Sequence, residues 1–353
     1  MKIGILTFHY AFNYGALFQA VSLFDYLKSQ GHDVYMVDYR NAKIVDGYKL
    51  YPSTASNKNY KFYMTLVFRL LMRFLRFRNF KHFIKENLRL INPSNLNILD
   101  CIIVGSDQVW NTKLTAGYDS YYWGDIPFKG VIISYAASMN AVSLSSEDKE
   151  EISKRLTNFN SISVRESAML DMLGPLSDKK VSLVLDPTML NDYEYWKKRS
   201  KKSFKKEKYV LAYPLRDSNT VLTIAKTIAK EKNCKLKIIK GDTGWNPFTN
   251  TYNTAGPQKV LSLLAGAEFV VTSSFHGTVL SILMKKQFYT IKCMDGNNVR
   301  TDSILTLLRL KNRMIENVSE VDITSKVNYS PVEEVLSVER EKSRSFIIDN
   351  LYD

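Results

Sequence analysis

Cysteine is scarce in this chain of 353 residues, and its placement excludes more than its number. Cys101, Cys234 and Cys293 are odd in number, scattered and without C-x-x-C spacing. That pattern excludes a disulfide framework or a cysteine zinc site and suits reduced core thiols in a cytoplasmic protein. The four histidines are dispersed, and H-E-x-x-H and D-x-D are both missing, so no metal is expected. The absence of G-x-G-x-x-G argues against a dinucleotide cofactor. No stretch approaches the roughly 20 apolar residues of a membrane span. Residues 1–8 carry too short an apolar run for a signal peptide and read as a first strand. Acidic side chains are also in deficit: 35 Asp and Glu against 49 Lys and Arg leave a formal charge of +14. Such a surface suits an anionic partner, whether an acidic membrane or a phosphorylated and carboxylated substrate. No nucleic-acid module accompanies the charge, so nucleic acid is not expected.

What is present is a soluble, globular pattern, 45% hydrophobic, in a chain long enough for two cores. Residues 2–7 (KIGILT) read as a strand, 16–29 as a helix and 34–39 (VYMVDY) as a second strand, together a βαβ unit with right-handed parallel pairing. Further strands are expected at 100–104, 131–135, 162–164 and 181–185, with a helix at 146–159. After the basic run 197–208 the alternation restarts, with strands at 209–213, 236–240, 268–272 and 287–291 and helices at 219–232 and 258–264. The division is therefore an N-terminal Rossmann-like domain over 1–196, a basic linker over 197–208, a C-terminal Rossmann-like domain over 209–330, and a terminal helix over 331–353 that can pack back on the first domain. The expected fold class is α/β, two Rossmann-like domains facing across a cleft in a GT-B-like arrangement.

Candidate site residues cluster where strands end. The stretch 268–285 (EFVVTSSFHGTVLSILMK) reads as strand, polar turn and a helix from Thr278. Amides at a helix start lack intrahelical acceptors, so Ser273, Ser274 and Gly277 can surround a phosphate or carboxylate, while His276 offers a proton near neutral pH. Ser274 serves equally well as a simple helix cap. Asn13, Tyr14 and Gly15 place an amide, a phenol and an N–H at the mouth of the first strand, with capping by Asn13 as the plainer role. In GSDQVW, Ser106 and Asp107 are positioned to bind substrate, and Asp107 can orient a sugar hydroxyl or cap a turn. Arg165, at the end of 162–164, can grip a carboxylate or phosphate bidentately.

The tract 58–89 is the least ordinary. Val67, Leu70, Leu71, Phe74, Phe77 and Ile84 form one helical face, and Arg69, Arg73, Arg76, Lys81 and Lys85 a basic one. Such a helix lies on an anionic membrane, or packs on its own protein with its charges in water.

FNYGALFQA, DCIIVGSDQVWN, SYAAS at 134–138, SVRES, LDPTML and TSSFHGTVLSI resemble, in order and over about 2–290, the polysaccharide pyruvyl transferase family. The resemblance implies a transferase that moves the pyruvyl group of phosphoenolpyruvate onto two hydroxyls of a sugar, forming a cyclic ketal in exopolysaccharide or glycan biosynthesis. It further implies that Arg165 and His276 occupy donor-binding and catalytic positions. No cofactor is expected beyond phosphoenolpyruvate as donor; the acceptor is a sugar, free or lipid-linked, handled in the cytoplasm, at the inner membrane face if 58–89 makes contact. Two other readings stand beside it. One is a GT-B nucleotide-sugar glycosyltransferase, for which Glu333 and Glu341 have an E-x₇-E spacing, although in a charged terminal helix. The other is a non-enzymatic membrane-surface scaffold built on 58–89.

Overall fold

The structure is a computed structural model describing residues 1–47, 60–139, 141, 143–200, 207–215, 218–240, 251–293 and 298–352. In the first half, β1 (Lys2–Leu6), β2 (Asp33–Val37), β3 (Leu90–Ile91), β4 (Cys101–Val104), β5 (Val131–Ala137), β6 (Ser161–Val164) and β7 (Val181–Leu183) form one sheet. In the second, β8 (Tyr209–Tyr213), β9 (Lys235–Ile238), β10 (Phe269–Thr272), β11 (Gln287–Ile291) and β12 (Met314–Ile315) form another. The spatial orders are β3-β2-β1-β4-β5-β6-β7 and β12-β11-β10-β8-β9, and every pairing is parallel. Parallel strands are covered on both faces, which is why β4 (CIIV) and β10 (FVVT) are continuous apolar runs, buried at every position.

Each sheet reverses direction of growth once, between β1 and β4 in the first and between β8 and β10 in the second. The crevice outside such a switch point is where open α/β sheets bind ligands. The loops there are the ones carrying Asn13, Asp107, Leu215 and Ser273.

Two helices join the halves. The helix Tyr14–Ser29 buries thirteen of its sixteen residues, and all nine residues of the helix Phe275–Leu283 are buried. A helix apolar on all sides needs cover on all sides. Tyr14–Ser29 therefore packs on the helices Pro257–Gly266 and Phe275–Leu283 of the second half. The terminal helix Ser330–Asn350 returns to the first half: Ser343 Oγ accepts from the Leu185 N–H at 2.9 Å, and Arg340 and Arg344 donate to the carbonyls of Met189 and Leu190.

Several expectations need adjustment. β3 and β12 were not foreseen; each is two residues long and leaves too little pattern to read. The helix expected from Thr278 starts at Phe275, so His276 and Gly277 belong to its first turn. Of the run 197–208, residues up to Arg199 extend the helix Tyr193–Arg199, 201–206 lie outside the described residues, and Glu207 pairs with Lys235 and Lys237.

The basic tract forms one helix, Tyr60–Asn87, but its two faces are not those expected. Arg76, assigned to the solvent or headgroup side, is buried. Its guanidinium lies 5.1 Å from the Tyr14 ring and donates to the carbonyls of Phe12 and Lys240. The apolar Val67, Leu71 and Phe74 are exposed. Phe80 and Phe83, not the expected stripe, carry the packing, because 100° per residue turns 76, 80 and 83 together toward the protein. Among the described residues no helix is long and apolar enough to cross a membrane.

Candidate active site

On the first half, the Asn13 side chain accepts the Gly15 N–H at 2.9 Å and so caps the helix Tyr14–Ser29, while also lining the cleft. Tyr14 does not face that cleft. Its hydroxyl donates to the Ala255 carbonyl at 2.7 Å, which makes it a tie between the halves. The Gly15 N–H, expected to be open, is held by the cap; what matters at Gly15 is the missing side chain. A Cβ there would stand 2.0 Å from Nδ1 of His276. Ser106 is fully buried beneath the cleft, and Asp107 reaches it in a left-handed conformation (φ 78°), its carboxylate accepting the Gln108 N–H at 2.9 Å. Positive φ in a residue other than glycine is a strained choice that tends to mark functional loops.

On the second half, Ser273 Oγ accepts from the Leu215 N–H at 3.0 Å. Ser274 Oγ caps the next helix by accepting the Gly277 N–H at 3.3 Å. The Gly277 amide, expected to hold phosphate, is therefore engaged. A Cβ at Gly277 would lie 2.4 Å from Thr272 Oγ1, so this glycine permits helix and strand to pack closely.

The two halves meet at a buried ionic cluster. Arg165 Nη1 donates to Asp186 Oδ2 at 2.7 Å, and its Nε to Glu166 at 2.9 Å. Ser106 Oγ donates to the same Asp186 oxygen at 3.1 Å, and Arg165 Nη1 also lies 3.3 Å from that hydroxyl. The other carboxylate oxygen of Asp186 accepts from the backbone and hydroxyl of Thr188. From across the interface, His276 Nε2 stands 3.6 Å from Asp186 Oδ2, an ion-pair distance too long for a hydrogen bond. Burial alone would raise the Asp186 carboxyl, but His276, Arg165 and Thr188 overcome it and hold the group far below the usual carboxylate range. Burial works against the charge of Arg165 too, and Glu166 and Asp186 more than restore it. Among the described residues, three polar atoms here have no hydrogen-bond partner: Arg165 Nη2, Glu166 Oε2 and His276 Nε2. Buried polar atoms are rarely left so, and a group of them in one place is a site prepared for a polar ligand.

Above the cluster opens a cleft of about 530 Å³ between the switch points. Asn13, Asp107, Ser274 and His276 line it, and among the described residues Lys43, Lys113 and Arg300 add three cations against one carboxylate. Phe275 forms part of its wall, flanked by the guanidinium of Arg165 at 4.7 Å and that of Arg300 at 5.7 Å from the ring centre. Arg165 itself is 7% exposed and lies behind this wall. The structure thus brings Arg165, Ser106 and His276 to one carboxylate. It places Asn13, Asp107 and Ser274 around the opening, and turns Tyr14 elsewhere.

Asp186, Lys43, Lys113 and Arg300 were not among the sequence candidates. Asp186 sits in LDPTML, where its position after a strand was the available signal; the other three stand in stretches with no motif. Among the described residues no three His, Cys, Asp or Glu side chains gather as metal ligands would. Glu333 and Glu341 lie on the terminal helix and do not line the cleft.

Comparison with known proteins follows the geometry. A family model described as polysaccharide pyruvyl transferase matches residues 13–293. No curated protein matches the sequence significantly. Among solved structures, a UDP-N-acetylglucosamine 2-epimerase is 9% identical with a TM-score of 0.51, covering 99% of this chain and 95% of that one. The UDP-GlcNAc 2-epimerase of Neisseria meningitidis is 10% identical with a TM-score of 0.48, covering 100% and 96%. SsfS6, a glycosyltransferase of Streptomyces sp. SF2575, is 12% identical with a TM-score of 0.41, covering 97% and 96%. At 9% identity the likeness to the first of these is one of fold alone, and the two parallel sheets with their helices make two Rossmann-like domains, a GT-B-like α/β fold.

Proposed function

The chain belongs to the polysaccharide pyruvyl transferase family, and from that premise we propose that it moves the pyruvyl group of phosphoenolpyruvate onto two hydroxyls of one sugar, forming a cyclic ketal and releasing phosphate. The observation that carries the reading is the meeting of Arg165 and His276, from opposite halves, on the single carboxylate of Asp186, behind a cation-rimmed cleft that His276 lines.

The chemistry follows from the donor. A proton added to the methylene carbon of phosphoenolpyruvate leaves an oxocarbenium-like centre at the carbon bearing carboxylate and phosphate. A sugar hydroxyl attacks it and loses its proton; phosphate then departs with the C–O bond electrons. The second hydroxyl closes the ring on the regenerated cation and loses its own proton. One proton enters at carbon and two leave from the hydroxyls, so the balance resides with the departing phosphate.

In this scheme His276 Nε2, held near Asp186 without a committed hydrogen bond, donates or returns the proton. Arg165, fixed by Asp186 and Glu166 behind the Phe275 wall, contributes positive potential toward a donor oxyanion seated in the cleft. Arg300, beside Phe275, offsets the remaining negative charge of the donor, while Lys43 and Lys113 stand at the acceptor end of the cleft. Asp107 and Asn13 orient acceptor hydroxyls. No cofactor takes part, and the reaction takes place in the cytoplasm.

The test is incubation with phosphoenolpyruvate and a panel of nucleotide- and lipid-linked sugars, following phosphate release and product mass. A productive acceptor gains the mass of a pyruvyl ketal. His276→Ala should retain its fold and lose about 10²- to 10⁴-fold in turnover. Sugar transfer from a nucleotide donor, with no phosphate released from phosphoenolpyruvate, would replace this reading with the glycosyltransferase one.

A further inference from the structure

A second cavity, of about 590 Å³, lies on the far side of the loop 9–13 from the cleft. Phe8, Ala11 and Asn13 line the cleft, whereas Tyr10 and Phe12 line the second cavity, so the two share this loop as a wall. Its size is that of a small-molecule site. The interior is apolar, with Phe77, Ile84 and Leu88 on one side and Phe12 and Val45 on the other. Among the described residues three cations, Arg40, Lys81 and Lys85, complete it, and no carboxylate lines it. Arg40 is already paired with Asp38 at 2.7 Å. Among the described residues neither Lys81 nor Lys85 has a carboxylate within ion-pair distance, and Lys81 rests over the Phe77 ring at 4.4 Å.

The helix Tyr60–Asn87 extends this lining outward. Positions 67, 71, 74, 77, 81, 84 and 88 succeed one another at spacings of three and four, which places them along one helical face. Val67, Leu71 and Phe74 on that face are 64%, 51% and 51% exposed. One apolar stripe therefore runs from solvent into a pocket ringed by uncompensated ammonium groups. Single exposed apolar residues are ordinary, but a continuous stripe ending in a cavity marks an interaction surface.

We propose that this stripe and cavity seat an anionic bilayer lipid, one chain lying along Phe77, Ile84 and Leu88 with its headgroup phosphate between Lys81 and Lys85. Amphipathic helices bind membranes through this combination of apolar area and basic charge. The lysines supply the charge complementarity that a second copy of this basic chain would lack. The inference stands independently of pyruvyl transfer, and it sets the loop shared with the cleft at the membrane surface.

The full chain is sedimented with vesicles of phosphatidylcholine alone and with roughly one third phosphatidylglycerol. It should partition onto the anionic vesicles only. Lys81→Gln with Lys85→Gln should weaken that partitioning about 30-fold, at about one order of magnitude or less for each basic residue. Leu71→Asp with Phe74→Ser, at exposed positions where folding is not at risk, should abolish it. Val45→Trp then reports on the cavity by difference from the unsubstituted protein, whose own four tryptophans, Trp110, Trp123, Trp196 and Trp245, give the background. Its fluorescence should be quenched by lipids brominated on their acyl chains. Equal binding to both vesicle types, indifference to the paired lysine substitutions, or binding without quenching would overturn the proposal. So would concentration-dependent self-association without lipid that Leu71→Asp abolishes, because a second copy would then own the stripe.

Discussion

Gly15 gives the sharpest test of the site, because a single methyl group there is aimed at the proposed catalytic imidazole. A Cβ built on Gly15 lies 2.0, 2.5 and 2.8 Å from Nδ1, Cγ and Cε1 of His276, where ordinary contact begins near 3.4 Å. In Gly15→Ala the ring must therefore retreat by roughly 1 Å or more, a displacement that alone can cost about 10²-fold in rate. If it also breaks the alignment of Nε2 with Asp186, the loss approaches the about 10⁴-fold ceiling of one general acid-base group. Stability should move far less. Alanine is favoured over glycine in a helix by up to about 1 kcal/mol, and overpacking a tight core costs about 1–3 kcal/mol, so the net change is a destabilisation of about 3 kcal/mol or less.

The assay is initial-rate phosphate release with an acceptor identified from the sugar panel, beside a denaturant melt of each variant. The decisive comparison is the double variant. Once His276→Ala has removed the ring, Gly15→Ala has nothing to displace, so the two effects on rate should not add. Wild-type turnover in a stably folded Gly15→Ala protein would refute the argument. So would two rate effects that multiply independently.

Other consequences reach beyond this contact. Asp186→Asn removes one of the two carboxylates paired with Arg165 and leaves the buried guanidinium to Glu166 alone, which should cost about 3 kcal/mol, the low end for a broken buried pair, read as a lower denaturant midpoint at constant slope. Near the rim, burial would raise the Asp38 carboxyl, but hydrogen bonds from His9 and Arg40 bring it down to about 2. A depressed carboxyl stabilises the fold above its unfolded value of 3.8 and loses that contribution as pH falls toward about 2. Discounted for partial exposure, it is worth about 1 kcal/mol, so Asp38→Asn should flatten the acid limb of stability between about pH 4 and 2 and leave the neutral plateau lower by that amount. Arg76→Ala, which removes a buried guanidinium from between Tyr14 and Phe80, should destabilise by about 2 kcal/mol in thermal melts; an unchanged midpoint would return Arg76 to the solvated face.

The division of labour between sequence and structure is visible in particular residues. The longer strands were legible because parallel strands buried on both faces leave uninterrupted apolar runs, such as CIIV and FVVT. β3 and β12 were not, since two residues carry no period. His276 and Arg165 could be found because each stands just beyond the C-terminal end of a strand, Arg165 directly and His276 in the first turn of the following helix. Their common partner could not: the pairing of β6 with β7 brings Asp186 to Arg165, and only the packing of the two halves adds His276. Tyr14 shows the opposite failure. A polar aromatic at a strand mouth reads as a ligand contact, yet the helix phase turns it toward Ala255. For 58–89 the period was right and the face was not, because a helix with apolar residues at so many phases does not announce which of them its neighbour will cover.

A two-domain arrangement with a cleft invites a mechanism in which closure assembles the site, and the contacts between these halves argue against it. Both central interface helices are buried along nearly their whole length, and the terminal helix binds the second half back to the first through three hydrogen bonds near residues 185–190. Small polar interfaces permit hinge motion, whereas an extensive apolar one resists it. His276 already stands 3.6 Å from the carboxylate that fixes Arg165, so the donor end of the proposed site is assembled without any closing step. That is the arrangement preorganised electrostatics require, with charges fixed before the reaction develops its own. Acceptor choice must then reside at the opposite end, in the cleft rim formed by Lys43, Asp107 and Lys113, where side chains are less constrained. Exchanging those three residues should alter which sugar is used while leaving phosphoenolpyruvate binding, measured calorimetrically on the free enzyme, within about threefold of its original strength. A collapse of donor binding in the same variants would mean that donor and acceptor share one set of charges.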